Sequence, residues 1–195
     1  MKQDAILTHL VADAEHDPNI VGFLVFGSVA TGTHHADSDI DVFTVRHSSQ
    51  PTSGLENTLV EGIKVGNLYF TYEILCQSVE TVPYLLHPLG GAKLLVDRDG
   101  TIQPLQEQIR AYFSDHPEVG DAWEGYYRQF RAEKDQFGYE KTTIIEVWND
   151  LEQRYANGKT RRHFFNAFYL TNTLIFSLLK RLLILSSTLR GFLLK

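Results

Sequence analysis

The stretch FLVFGSVATGTHHADSDIDVF, residues 23–43, decides how the first half of this chain of 195 residues folds. Its first part is short, apolar and rich in Val and Phe, which is typical of a buried strand, and it ends at Gly27 and Ser28. A loop of small and polar residues follows, and the chain enters a second apolar run through Asp39 and Asp41. Because alternate side chains of a strand share a face, we expect both carboxylates to point to one side of the sheet.

Two carboxylates held side by side repel each other unless a cation lies between them. Mg²⁺ suits this arrangement, since it takes one or two carboxylates together with waters and substrate phosphates. The turn upstream supplies the complementary part. Gly27 allows a phosphate to approach the backbone closely, the amides after it form an anion site if a helix starts there, and Ser28 adds a hydroxyl donor. One local unit therefore combines a metal clamp with a phosphate cradle.

The stretch FGSVATGTHHADSDIDV resembles the signature of the nucleotidyltransferase superfamily, which includes DNA polymerase beta and kanamycin nucleotidyltransferase. That signature consists of an apolar residue, Gly-Ser or Gly-Gly, a spacer of similar length, and Asp-x-Asp or Asp-x-Glu on a strand. The resemblance covers roughly the first half of the chain. It implies an α+β fold, with a nucleotidyltransferase-type mixed β-sheet core flanked by helices and followed by a C-terminal helical bundle.

The resemblance also implies a mechanism. Asp39 and Asp41 would bind a pair of Mg²⁺ ions that bridge a nucleoside triphosphate such as ATP. Gly27 and Ser28 would hold its β- and γ-phosphates. The hydroxyl of an acceptor would attack the α-phosphorus, and pyrophosphate would leave, with catalysis resting on positioning and on charge neutralisation.

Two departures from the family pattern bear on the site. Many relatives carry an arginine in the loop where this chain has Thr31. Relatives also bring a third carboxylate from a neighbouring strand, but the middle of the expected strand reads Gly66-Asn67 here. Glu73, at the end of that strand, is the first candidate for the third catalytic carboxylate, although it is equally well explained as a helix residue favoured by the dipole. Glu61, a residue of the helical half, or no residue at all are the alternatives.

The periodicity of the remaining chain predicts a mixed α/β half and an all-helical half. We assign residues 1–103 to a catalytic domain and residues 104–195 to a helical domain for substrate binding or dimerisation. The predicted helices end near residue 16, run from 73 to 83, and then span 105–115, 118–137, 140–157 and 160–190. The predicted strands are 19–26, 39–45, 59–72 with a turn or bulge at 61–62, and 92–96, and residues 46–58 are expected to form a surface loop.

Composition restricts the possible partners and location. The formal net charge of -6 argues against a protein that holds nucleic acid through its phosphates. A single cysteine, Cys76, excludes an internal disulfide, which together with the lack of a signal-peptide pattern at the start predicts a cytoplasmic protein. Residues 164–179 carry no charge but are interrupted by polar side chains, and a membrane span needs roughly 20 mostly apolar residues. We therefore expect a buried helix there rather than a membrane span.

The acceptor is the least determined part of the prediction. The helical half combines acidic and aromatic side chains, which suit a cationic, sugar-like acceptor such as an aminoglycoside antibiotic. The same composition is also usual for exposed helix faces around an aromatic core. Modification of a protein by AMPylation is the alternative activity, and a catalytically degenerate nucleotide-binding or interaction module is the alternative from another class. The apolar helix predicted at 160–190 suggests a homodimer interface.

Overall fold

The computed structural model describes residues 2–49 and 52–156, all within one compact unit that spans Met1–Asn157. The helix predicted at 160–190, with the homodimer contact assigned to it, lies outside the described residues. The elements are, in chain order, α1 (Lys2–His16), β1 (Ile20–Phe26), α2 (Gly27–Thr31), β2 (Ile40–Arg46), β3 (Ser53–Val60), β4 (Ile63–Thr71), α3 (Tyr72–Thr81), a 3₁₀ turn (Pro83–Leu85), α4 (His87–Gly90), β5 (Lys93–Asp97), α5 (Ile102–Asp115), α6 (Pro117–Phe137) and α7 (Ile144–Tyr155).

The five strands form one mixed sheet in the order β3-β4-β2-β1-β5. Strands β2 and β4 are parallel, and the other neighbouring pairs are antiparallel. The chain passes from β2 to the edge strand β3 before it enters β4. β2 is the central strand of the sheet, and β4 pairs with it. This arrangement confirms the predicted mixed sheet with flanking helices.

The predicted surface loop at 46–58 is wrong, because its second half belongs to β3. This strand forms a hairpin with β4 through a tight turn at Glu61 and Gly62, whose φ angles are +50° and +83°. Both values are positive, as in the turns that match the twist of a two-residue hairpin. β3 lies at the edge of the sheet, and its side chains from Leu55 to Leu59 are exposed. Without a buried face it lacks the apolar alternation by which a strand is recognised in a sequence.

Apolar side chains cover both faces of the sheet. On one face, α1 packs over residues that include Phe23, Val25, Ile40, Val42 and Val65. On the other, α3, α4 and α5 pack over residues that include Leu24, Phe43, Val45 and Phe70. Since side chains alternate along β2, Asp41 lies on the second face, in line with Phe43 and Val45 and at the end of their row.

The helices after the sheet follow the predicted pattern within a few residues. The Asp97 carboxylate accepts hydrogen bonds from the backbone N–H groups of Thr101, Ile102 and Gln103, which fixes the start of α5. Three side chains of α5, Ile102, Leu105 and Ile109, belong to the core beneath the sheet. The domain boundary at 103/104 stays a prediction.

Helix α6 is attached to the rest of the unit through Trp123. This side chain is fully buried, and its Nε1 donates to the carbonyl of Tyr84 at 2.8 Å. Within the described part of the chain, no helix has the length and apolarity to cross a bilayer.

Candidate active site

The two aspartates lie where β2 begins. Asp41 pairs with Phe26, the last residue of β1, and α2 starts at the next residue, Gly27. The end of one strand, the start of its neighbour and the first turn of a helix therefore meet at the same end of the sheet. No side-chain hydrogen bond caps α2 at Phe26. The sequence prediction that a helical turn follows the Gly-Ser step agrees with this structure.

Position 27 requires glycine both because of its backbone conformation and because Asp41 lies so close to it. Its φ angle is +66°, in the region that favours glycine. A β-carbon at this position would lie 2.9 Å from Oδ2 of Asp41, which is closer than real β-carbons approach. The Asp41 carboxylate therefore lies directly against the backbone of the turn in which phosphate binding is predicted.

The environment of Asp41 favours the protonated form of its side chain over the charged form. Burial is the main reason that the pKa of Asp41 is raised to about 6, and the negative charge of Asp39 raises it further. The positive charges of Lys64 and Lys134 act in the opposite direction. A carboxyl group that is partly desolvated beside a second carboxylate is stabilised in its ionised form by any cation that binds between them.

Asp39 has a cationic neighbour in this structure. The Nζ atom of Lys64, on β4, lies 3.5 Å from Oδ2 of Asp39, and both side chains are partly exposed. An exposed pair of this kind contributes little to stability. It does place a lysine beside the carboxylate that is expected to bind the metal.

A glycine occupies the strand position next to Asp41. In the parallel pairing of β2 with β4, Asp41 is opposite Gly66, and Gly66 is in turn opposite Asn57 on β3. A β-carbon at Gly66 would lie 3.2 Å from Oδ1 of Asp41 and 3.7 Å from Oδ1 of Asn57. The missing side chain thus leaves a gap that an aspartate and an asparagine both border.

The strand register separates Glu73 from the pair. Thr71, the last residue of β4, is opposite Arg46, which lies five residues beyond Asp41. At about 3.3 Å per residue this is about 16 Å, and Glu73 lies further on in the first turn of α3. The structure therefore does not bring Glu73 to Asp39 and Asp41, and it agrees with the alternative interpretation of Glu73 as a helix residue.

Asn67, which stands in the middle of the strand expected to carry the third carboxylate, and Glu61, the second candidate, are both engaged elsewhere. Asn67 points to the opposite face of the sheet from Asp41, where its Oδ1 accepts a hydrogen bond from Thr44 at 2.8 Å. Glu61 lies in the β3–β4 turn, and its carboxylate is 3.9 Å from the Lys2 ammonium group.

The turn between α6 and α7 contributes charges to the site. Lys134 near the end of α6 and Glu140 in the turn form an ion pair of 3.9 Å, and both charges act on Asp41. Glu133 organises this turn by accepting hydrogen bonds from the backbone N–H groups of Lys141 and Thr142, each at 2.9 Å. Hydrogen bonds, of which that from Thr142 is the strongest, lower the pKa of Glu133 to about 2. Residues of the helical half therefore take part in the electrostatics of the aspartate pair.

Gln3 holds the loop that leads into Asp39. Its side chain is fully buried, and its Nε2 donates to the carbonyls of His35 and Ala36 at 2.8 Å each, with Ser38 O at 3.3 Å. The three acceptors lie in the last five residues before the pair. A side chain from the first turn of α1 thereby determines how the loop approaches β2.

Thr31, which stands where many relatives carry arginine, closes α2 instead. Its hydroxyl lies 3.2 Å from the carbonyl oxygens of both Gly27 and Ser28, to which it donates. Lysines on β4 and α6 supply the positive charge that the loop lacks. The sequence offered a signal for Lys64, since it lies two residues before Gly66 on a predicted strand and so on the same face.

The oxygen atoms around the pair suit a hard divalent cation. Carboxylates and an amide carbonyl are the ligands that Mg²⁺ and Ca²⁺ take, and the raised pKa of Asp41 indicates an environment that favours added positive charge. Histidine and cysteine side chains, which other metals prefer, are not part of this set. Among residues 2–49 and 52–156, no three Asp, Glu, His or Cys side chains are grouped so as to hold a metal ion. The residues fit a cation held by two carboxylates, with the remaining ligands coming from neutral oxygens, water or substrate.

Residues 11–84 match the family model described as the nucleotidyltransferase domain. This segment begins within α1 and contains the Gly27 turn, both aspartates, Lys64 and Gly66. The chain is also similar to a nucleotidyltransferase-like protein from Exiguobacterium sibiricum 255-15, with a TM-score of 0.42 and 11% identity, and the match covers 78% of this chain and 62% of that protein. The chain thus spans less than two thirds of that protein's length. No curated protein sequence matches it.

Proposed function

We propose that the nucleotidyltransferase domain carried by residues 11–84 moves a nucleoside monophosphate from a nucleoside triphosphate to a hydroxyl group of a small acceptor, with Mg²⁺ as cofactor. One observation carries the proposal. Within the segment that matches the family, the partly buried Asp41 lies against Gly27, which has a left-handed backbone and begins α2. The charge of Asp39 acts on Asp41.

Each residue has a role that follows from its position. Asp39 and Asp41 hold the metal. Mg²⁺ at this position supplies charge neutralisation and polarisation of the phosphate that reacts. The backbone of Gly27 and the amide and hydroxyl of Ser28 bind the terminal phosphates, and the ammonium groups of Lys64 and Lys134 add positive charge around them.

The reaction forms one bond and breaks one bond. An oxygen of the acceptor hydroxyl forms a bond to the α-phosphorus, while the bond from that phosphorus to the bridging oxygen of the β-phosphate breaks. The proton of the hydroxyl passes to water, and pyrophosphate leaves with the electrons of the broken bond. Catalysis in such a site depends on holding the reacting groups in line and on stabilising the charge that develops on the phosphates.

The surface of the turn after α6 supports a cationic acceptor. Phe137, the last residue of α6, and Tyr139, the residue before Glu140, are 38% and 58% exposed. Their rings lie 6.3 Å apart, and a cation, Lys141, already lies 3.5 Å from the ring of Phe137. Aromatic faces and an acidic group together attract amines, so an aminoglycoside-like antibiotic is the leading acceptor. A hydroxyl group on a protein is the alternative.

Isothermal titration and pyrophosphate release test this function. The wild-type chain is expected to bind a triphosphate in the presence of Mg²⁺, and the Asp39→Asn and Asp41→Asn variants are expected to lose that metal-dependent binding. Both variants keep the size of the side chain, so that only charge is removed. Metal-dependent binding that survives both substitutions would refute the proposal.

A non-catalytic nucleotide-binding module is the second candidate. It is favoured by the observation that, among residues 2–49 and 52–156, no third Asp, Glu, His or Cys side chain is grouped with the pair so as to hold a metal ion. The two candidates differ in turnover. Release of pyrophosphate with any amine-bearing, hydroxylated acceptor supports the transferase, whereas Mg²⁺-dependent binding without turnover over a broad acceptor panel supports the module.

A further inference from the structure

Asp41, Gly66 and Asn57 form a row across three neighbouring strands. They occupy directly paired positions on β2, β4 and β3, so their side-chain positions share one face of the sheet. The row ends at the exposed edge, where Asn57 lies open to solvent. Any ligand bound by Asp41 on this face is therefore within the neighbourhood of Asn57, provided that nothing stands at position 66.

Gly66 provides room rather than backbone freedom. Its φ angle is not positive, in contrast to that of Gly27, so other residues could adopt its backbone conformation. A β-carbon at Gly66 would lie 3.2 Å from the Asp41 Oδ1 atom and 3.7 Å from the Asn57 Oδ1 atom. The two oxygen atoms thus border the same small space from opposite sides.

We infer that Asn57 supplies a third oxygen to the cation held by Asp39 and Asp41, directly or through one water, across the gap that Gly66 leaves. This inference rests on the proposed function, because it assigns a further residue to the same site. An amide oxygen is an ordinary ligand for hard divalent cations. It adds a ligand without a third negative charge, which matters where two carboxylates already repel each other.

The other polar side chains near the row have different functions in the structure. Asn67, the next residue of β4, lies on the opposite face and is bonded to Thr44. Glu61 lies near the Lys2 ammonium group in the β3–β4 turn. Asn57 is thus the side chain on β3 or β4 whose oxygen faces Asp41 across the gap, among the residues that the structure describes.

Binding of Mn²⁺, measured by electron paramagnetic resonance on the full chain without nucleotide, tests the inference. Asn57→Ala is expected to weaken Mn²⁺ binding at least about tenfold, the scale on which the loss of a supporting polar group weakens metal sites. Asn57→Asp is expected to strengthen it about tenfold, because added ligand charge raises the affinity for divalent cations. Thr58→Asp is the matched control, since it places the same charge one residue further on, on the opposite face.

The outcomes separate this inference from the proposed function. Unchanged Mn²⁺ affinity in Asn57→Ala, or equal gains in Asn57→Asp and Thr58→Asp, would overturn the role of Asn57 while leaving the aspartate site intact. If Asp39→Asn and Asp41→Asn also bind Mn²⁺ like the wild type, or if the wild type does not bind it, the metal site itself fails. Both the metal site and the role of Asn57 are supported if the aspartate variants lose Mn²⁺ binding while Asn57→Ala weakens it and Asn57→Asp strengthens it.

Discussion

Replacement of Gln3 by methionine tests whether this side chain positions the loop before Asp39, in addition to stabilising the fold. Methionine has a similar length and volume, but it cannot donate the hydrogen bonds that Gln3 Nε2 makes to the loop before Asp39. The carboxamide has two N–H groups and makes two short contacts of 2.8 Å, to His35 O and Ala36 O. The perturbation is therefore the loss of these two hydrogen bonds, and of the longer contact to Ser38 O at 3.3 Å, at one fully buried side chain.

The expected loss of stability is moderate. A hydrogen bond contributes a net ~1 kcal/mol, and an acceptor left unsatisfied and buried costs about 1–3 kcal/mol. His35 and Ala36 are exposed residues, so water can replace part of these contacts, and the loss is expected to be about 2 kcal/mol in total, the contribution of two hydrogen bonds. The free energy of unfolding is measured by urea titration, and the variant is expected to remain folded at 25 °C.

Gln106 offers a matched control elsewhere in the same unit. It is also buried, and its Nε2 donates to the carbonyls of Leu89 and Ala92 at 2.8 and 3.0 Å. Those acceptors belong to buried residues, so Gln106→Met is expected to destabilise the chain at least as much as Gln3→Met. The control thus removes the same chemistry without touching the loop that leads into Asp39.

The assay compares Mg²⁺-dependent triphosphate binding of the two variants at a temperature where both are folded. Gln3→Met is expected to weaken it about tenfold or more, since displacement of a positioned group by about 1 Å is enough to lose much of its effect. Gln106→Met is expected to bind within about twofold of the wild type. Equal binding by both variants, or a larger loss in Gln106→Met, would refute the positioning role of Gln3.

Three further predictions concern charge and capping. Because folding raises the pKa of Asp41 from 3.8 to about 6, the metal-free chain loses stability as the pH rises from 4 to 6. Asp41→Asn is therefore expected to stabilise the chain by about 1–3 kcal/mol at pH 7 and by almost nothing at pH 4. Thermal unfolding at both pH values checks this, and destabilisation of the variant at pH 7 would contradict it. Glu133→Gln is expected to speed hydrogen exchange at the amides of Lys141 and Thr142, which unchanged exchange would disprove. Thr143→Ala is expected to cost about 1 kcal/mol by removing the capping box of α7, whereas a serine at this position restores the hydroxyl and most of that stability in a urea titration.

The sequence was sufficient for the parts of the fold that depend on local pattern. The buried strand before Gly27 and the strand that begins at Asp39-Ile40 were predicted from their apolar runs, and the structure places them side by side at the centre of the sheet. The Glu61-Gly62 turn was also visible, because glycine in a short polar step is a strong turn signal.

The parts that failed depend on pairing, which a single strand does not encode. β3 was missed because an exposed edge strand carries no apolar face. Without β3, the register that sets Asn57 opposite Gly66 could not be derived, and Glu73 became the first candidate for the third group. Lys134 and Glu140 reach the site from α6 and the turn after it, and no sequence spacing connects them to Asp41.

The energetics of Asp41 give a physical reason to regard this end of the sheet as a binding site rather than a structural feature. A side chain in line with Phe43 and Val45 would stabilise the fold best if it were apolar, and an asparagine would avoid the charge. The chain instead places a second carboxylate two residues away and removes the side chains at positions 27 and 66, where either β-carbon would crowd Asp41. The buried charge of Asp41 and the second carboxylate lower stability in the absence of a ligand, and both become favourable when a cation binds beside them. Asp41→Asn is expected to gain stability and to lose metal binding. A defect in the core would show the gain of stability without the loss of metal binding, so the two results together identify a ligand site.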